Sequence, residues 1–313
     1  VAHSLVSVKK EKFRKKKPRK SMVLLLMAIP FVLLVFAFNY VPLFGWIYSF
    51  YNFKPGIPLD KTPFVGFDYF KILVTEGRED IIRVLKNTLA LSFLLILCSP
   101  LPALLAILLN EVKSKRFRRI IQTTTTLPNF ISWVIVFSLA FSMFSSEGLI
   151  NKLLLDWHVI KEPMNVLGNG EIVWPFQTAI NVWKNIGFSS IIYIAAIAGI
   201  DNELYEAAKV DGASRLRTIL HITLPGISST FFVLLLLQIS NILSAGFEQY
   251  LVFYNSLVSS KIEVLDYYVY KLGIVTSDYS YATTIGMLKT VISIILLFSV
   301  NYLSKKVRGN SII

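Results

Sequence analysis

Nine polar or aromatic side chains lie in, or at the ends of, otherwise apolar stretches: Asn181, Trp183, Lys184, Asn185, Tyr193, Gln238, Asn241, Gln249 and Lys289. Amides exchange hydrogen bonds with hydroxyl groups, and aromatic faces cover C–H surfaces. An ammonium group attracts carboxylates. Such a set suits holding and passing a polar solute rather than making or breaking bonds. The competing role is structural: lysines that satisfy carbonyls freed at a helix break, and amides that bond between helices. A lysine at mid-membrane costs about 2.5–3.5 kcal/mol, against about 0.3–0.6 gained per Leu, Ile or Phe, so Lys184 and Lys289 must face a bundle, a cavity or an interface.

Covalent chemistry lacks its parts. The sequence has no Gly-Lys pair and hence no GxxxxGK[ST] phosphate-binding loop. Its three histidines, His3, His158 and His221, are scattered without metal-ligand spacing or a nucleophile partner. Cys98 is alone and excludes an intramolecular disulfide. No metal, no catalytic residue and no enzymatic activity of its own are expected.

The elements that must position these residues are membrane helices. Of the 313 residues 54% are hydrophobic and only 16% charged, and runs of about 20 apolar residues are what a helix needs to cross a bilayer. Six spans are predicted, at 22–50, 84–110, 118–145, 174–200, 226–248 and 281–304. Pro30, Pro42, Pro100 and Pro102 predict kinks in the first two. The net charge of +13 gathers at span ends, which argues against nucleic acid. The basic run at 9–20 precedes an apolar stretch too long for a signal peptide and without a small-x-small cleavage site, so it reads as an uncleaved first span. On one side, 20 lysines and arginines fall in the tail 9–20, at 113–119, at 209–217 and at 305–308, against nine in the other connections. By the positive-inside rule both termini are cytoplasmic. The outer connections are rich in Pro, Gly, Asn and Tyr and are expected to hold short surface helices. Trp46 and Trp174 read as interface anchors.

One connection carries its own folding instructions. In Ile200 to Pro225, Asp201 can cap a first short helix with Glu203 in its first turn, Gly212 can end it, and Ser214 can cap a second. Pro225 suits the first turn of span five. The run EAAKVDGASRLRTILHITLP, with Glu206, Ala207, Ala208, Gly212, Ile222, Leu224 and Pro225, resembles the EAA loop of permease subunits in bacterial ABC importers. The phrases Trp183–Phe188 leading into Ile191–Tyr193, Asn241–Gln249 and Ile285–Lys289 are similar to the carbohydrate-uptake branch, of the polysaccharide and complex-oligosaccharide type. The resemblance covers about residues 20–305.

The resemblance implies an all-α integral membrane protein whose last five spans form a type I ABC importer (MetI-like) permease core. It divides the chain into a basic tail (1–21), a first transmembrane helix with its outer loop (22–83), the core (84–304) with the coupling loop at 201–225, and a C-terminal tail (305–313). It implies that Glu206, Ala207, Ala208, Asp211, Gly212 and Ala213 couple to an ATPase: the alanines allow close approach, Glu206 meets a basic or backbone donor, and Gly212 sets the angle between the helices. The implied partners are a second related permease, two ATP-binding cassette subunits that hold ATP and Mg, an extracytoplasmic solute-binding protein and the bacterial inner membrane. This chain itself would bind no cofactor. The implied substrate is an oligo- or polysaccharide, with Lys184 and Lys289 able to draw in an acidic one. An amino-acid or peptide permease, an ion-coupled secondary transporter and a membrane sensor or scaffold are the alternatives.

Overall fold

A computed structural model describes residues 19–244 and 246–308. Most of the basic tail, Ala245 and residues 309–313 lie outside the described residues. Among the described residues, six helices are long and apolar enough to cross a membrane: Leu24–Phe50, Arg78–Glu111, Trp133–Asp156, Val173–Ala198, Arg215–Ser240 and Tyr279–Tyr302. They are called spans one to six. Apart from one antiparallel bridge between Tyr51 and Phe64, the regular structure of the described residues is helical.

The chain divides into two compact units, residues up to Ile47 and residues from Tyr48 onward. In the first, the α-helix Arg19–Val35 contains Pro30 and passes into a π turn at Phe36–Tyr40, followed by 3-10 helix from Val41. The π turn comes just before Pro42. A proline cannot donate to the carbonyl four residues back and its ring crowds that carbonyl, so a widened turn there relieves the clash.

In the second unit, span two breaks at Cys98–Ser99, between helices Arg78–Leu97 and Pro100–Glu111, as its prolines predict. The single third span expected at 118–145 is instead cut in two. Helix Lys115–Thr126 ends in a 3-10 turn at Leu127–Phe130, and a new helix starts at Trp133 with Ser132 as its cap. Pro128 removes a donor from the ladder, and the Ser132 hydroxyl accepts from the Ile135 amide at 3.4 Å. Span four is one unbroken helix. Its Gly187 crosses the Thr125 and Thr126 backbone so closely that a Cβ would collide with the Thr125 carbonyl.

Span five, expected at 226–248, begins at Arg215 and ends at Ser240. The chain beyond it corrects a second expectation. Short helices at Phe247–Phe253, Ser259–Ile262 and Leu265–Tyr270 do not lie on the surface. They fold back and bury Tyr250, Phe253, Val258, Ile262 and Val264 against Leu91, Val136, Ala140 and Val173. Span two staples this segment: Asn87 donates to the Ser260 and Glu263 carbonyls at 2.9 and 3.1 Å, and the Thr88 hydroxyl accepts from the Leu265 amide at 2.8 Å. Trp174, expected as an interface anchor, donates its indole N–H to the Lys261 carbonyl at 2.8 Å.

The same segment is held by charge. Glu263 is 1% exposed, and its carboxylate accepts from Arg83 at 2.6 Å and Lys271 at 2.8 Å. The bond to Glu263 holds the Lys271 ammonium above its ordinary pKa. Asp266 pairs with Lys289 of span six. Because Arg83 and Lys271 are partly solvated, removing their partner costs less than the about 3–5 kcal/mol of a fully buried pair. Glu263→Ala is expected to destabilise by about 2 kcal/mol, read as a lower midpoint of thermal unfolding in detergent. An unchanged midpoint would show that the carboxylate contributes nothing.

Candidate functional site

Four of the nine polar candidates converge. Asn181, Asn185, Tyr193 and Gln238 line one cavity of about 240 Å³ between spans two, four and five, together with Ser99 and Ser189. On the unbroken helix of span four, Asn181 and Asn185 are one turn apart and share a face.

Behind the cavity runs a chain of amides. Asn129 donates to the Asn185 side-chain oxygen at 2.9 Å. Asn185 donates to the Asn181 carbonyl and side-chain oxygens at 3.0 and 3.1 Å. Asn181 in turn donates to Gln249 at 2.7 Å, and Gln249 donates to the Gln177 carbonyl and side-chain oxygens at 2.9 and 2.8 Å. Gln249 and Gln177 are 1% and 2% exposed, so they orient the network and do not line the cavity. Gln238 and Tyr193 differ: neither side chain is hydrogen-bonded to another described residue, which leaves the amide and the hydroxyl available to a solute.

The remaining candidates lie elsewhere. Lys184 points away from the cavity into the break of the neighbouring helix, where its ammonium donates to the carbonyls of Pro128, Asn129 and Ile131 at 3.1, 2.9 and 2.6 Å. Three donors meet three acceptors, and the Trp133 ring lies 5.3 Å from the ammonium. The carbonyl-satisfying role is therefore the observed one, at a break in another helix and not in its own. Lys289 is paired with Asp266. Trp183 is 46% exposed and does not line the cavity. Asn241 is exposed and donates to the Leu237 carbonyl at 2.9 Å, closing the end of span five. Asn129, Gln177, Ser99 and Ser189 were not among the predicted residues. Asn129 had a signal, a polar residue after a proline inside an apolar run.

The connection between spans four and five folds as its caps predict. The Asp201 carboxylate accepts from the Glu203 amide at 3.0 Å, opening helix Asn202–Val210. Gly212, at φ +70°, closes it: the Ala213 amide reaches back to the Ala208 carbonyl at 2.8 Å and the Gly212 amide to the Lys209 carbonyl at 3.2 Å. The Ser214 hydroxyl then accepts from the Arg217 amide at 3.4 Å. The second helix does not stop before span five. It runs from Arg215 through a π turn at Ile219–Thr223 straight into Leu224–Ser240, so Pro225 lies inside a continuous helix. As at Pro42, the π turn precedes the proline. Tyr205 bonds the Thr223 hydroxyl at 3.1 Å, and Gly226 lets Ile200 pack against the helix where any Cβ would collide. Glu206, Ala207, Asp211 and Gly212 are exposed, and Ala208 and Ala213 half-buried. Val210 and Leu216 are 88% and 73% exposed.

Membrane-length helices, a cavity between three of them that sets amides and hydroxyls in a largely apolar wall, and a capped helical loop continuous with one of those three are the parts of a membrane permease. The chain belongs to the family of binding-protein-dependent transport system inner membrane components, whose profile matches residues 98–309. It is 42% identical to Protein LplB of Bacillus subtilis (strain 168) over 285 residues, covering 90% of this chain and 88% of that protein. It is 39% identical to the polygalacturonan/rhamnogalacturonan transport system permease protein YteP of the same strain, covering 94% and 93%. Among solved structures it resembles a chain of a bacterial ABC transporter involved in the import of the acidic polysaccharide alginate, with a TM-score of 0.83, 36% identity and coverage of 92% and 97%. The alginate transporter in complex with an alginate pentasaccharide-bound periplasmic protein gives a TM-score of 0.82. The family sets aside the ion-coupled transporter and the sensor.

The two classes of cavity amide are separable by stability. Asn185→Ala removes a donor and an acceptor from the network and is expected to cost about 1–3 kcal/mol. Gln238→Ala, which breaks no side-chain bond among the described residues, should leave the unfolding midpoint unchanged. Equal losses in the two variants would contradict the division.

Proposed function

We propose that this chain is the permease subunit of an ATP-driven importer that passes an oligo- or polysaccharide from an extracytoplasmic binding protein into the cell. One observation carries the reading: a single helix, Arg215–Ser240, joins the exposed loop at one end to Gln238 of the cavity at the other. A push on the loop is thereby a movement of the cavity wall.

In this reading the loop lies in the cytoplasm and docks in a cleft of an ATP-binding cassette subunit, which binds ATP and Mg. Glu206 meets a basic or backbone donor there, Ala207 and Ala208 allow close approach, and Val210 and Leu216 are covered. Gly212 fixes the angle of the lever. Asp211 and Ala213 belong to the same turn. The surplus of lysine and arginine on the loop's side supports cytoplasmic placement of both ends of the sequence. Two ATPase subunits, a second related permease and the binding protein complete the assembly. Binding-protein docking and ATP-driven closure open the path outward, and hydrolysis resets it.

Within the path, Gln238 and Tyr193 bond sugar hydroxyls, while Asn181 and Asn185 present amides fixed by the network behind them. The names of the relatives support a polysaccharide substrate, including acidic ones. Attraction of a uronate by Lys184 or Lys289 loses its support, since both ammonium groups are already engaged. Specificity for the carboxylate is then shared out to the binding protein and the second permease.

The tagged chain, purified from its native membrane in mild detergent, should bring down an ATPase and a second permease. Glu206→Lys should lose the ATPase and keep the permease. Recovery of the chain alone, or of unrelated proteins with both versions, would contradict the proposal. In cells, Gln238→Ala should weaken uptake about fivefold, the worth of one hydrogen bond, with the ATPase still bound.

A further inference from the structure

We infer that the cavity beneath the coupling loop is a binding site for the phosphate headgroup of an anionic phospholipid. This cavity, about 560 Å³, opens between the end of span two, the end of span four and both loop helices. Lys113, Lys209 and Arg215 line it against one acid, Glu111. None of these four forms an ion pair with another described residue. Three cations against one carboxylate leave a positive excess around one concavity, a field that calls for an anion.

The geometry favours a lipid over a soluble anion. The cavity sits where two membrane helices end, at Glu111 and Ala198, which is headgroup depth. Its Val112, Ile197 and Ala198 wall is apolar, as suits the glycerol end of a lipid. Next to it, the first turns of helix Lys115–Thr126 expose Lys115, Arg116 and Arg119 together with Phe117 and Ile120, the make-up of a helix end at a charged membrane surface. Basic pockets between spans on the cytoplasmic side are suited to such headgroups. A bound lipid would bridge Lys113, after span two, to Lys209 and Arg215, which flank Gly212, and so tie the lever to span two. The inference rests on the cytoplasmic placement of the loop proposed above.

The test uses the whole assembly in nanodiscs of phosphatidylcholine, alone, with cardiolipin, or with inorganic phosphate added. Native mass spectrometry reads retained lipid and subunit composition together. Cardiolipin should stay on the wild type, fall about fivefold for Lys113→Gln and further for the Lys113→Gln/Arg215→Gln pair, and persist in Lys86→Gln, which removes a charge elsewhere. Inorganic phosphate should not displace it. Equal retention in all variants, or displacement by inorganic phosphate, would overturn the inference. Loss of the ATPase from the wild-type assembly would instead count against the importer reading.

Discussion

A backbone carbonyl inside a membrane protein must find a donor, and no water is at hand to supply one. The third apolar stretch breaks that ladder at Pro128, and the Lys184 ammonium closes the breach by donating to three of its carbonyls. Burying the charge costs several kcal/mol by itself, and the carbonyl dipoles and the Trp133 face offset it. One turn on, Gly187 lets the broken helix pass against span four at backbone distance. Together they fix Asn129 where it can donate to Asn185, so the amide wall of the cavity depends on the break being held.

The second constraint is mechanical. Gly212 makes the one sharp bend between the loop helices, and from Arg215 the helix runs on through the π turn to Ser240. The widened turn lets Pro225 sit inside the helix without ending it. Tyr205 and Ile200 brace its base. At the other end of the bundle, Glu263 and Asp266 lock the folded-back segment to spans two and six. The loop with its helix and the folded-back segment are thus built from different interactions, one from covalent continuity and one from buried charge.

The loop was legible because each cap is a local event: Asp201, Gly212 and Ser214 act within a few residues of themselves. Apolar runs likewise showed six crossings, and the prolines foretold the break in span two. What misled was context. The run LPNFISW stays apolar through the break, so hydropathy joined its two sides into one span. The segment 247–275 mixes tyrosines with charges and reads as an outer connection, yet Tyr250 and Glu263 are each 1% exposed, because Tyr250 packs among residues of spans two, three and four and Glu263 pairs with Arg83 of span two. For the same reason Lys184 and Lys289 could be recognised as residues needing partners, whereas the identity of those partners, distant in sequence, could not. Residue type found the cavity amides, and only their neighbours separated Gln238 and Tyr193 from those that serve as scaffold.

The holding of the break by Lys184 can be measured directly by hydrogen–deuterium exchange of the purified assembly, comparing wild type with Lys184→Met. Methionine keeps the bulk and removes the donors. Faster exchange confined to residues 127–135 and to the span-four turns around Asn185, with the loop at 201–213 unchanged, is the predicted result. Exchange identical to wild type across 127–135 would mean that the break holds itself, and the account of the cavity wall would fail.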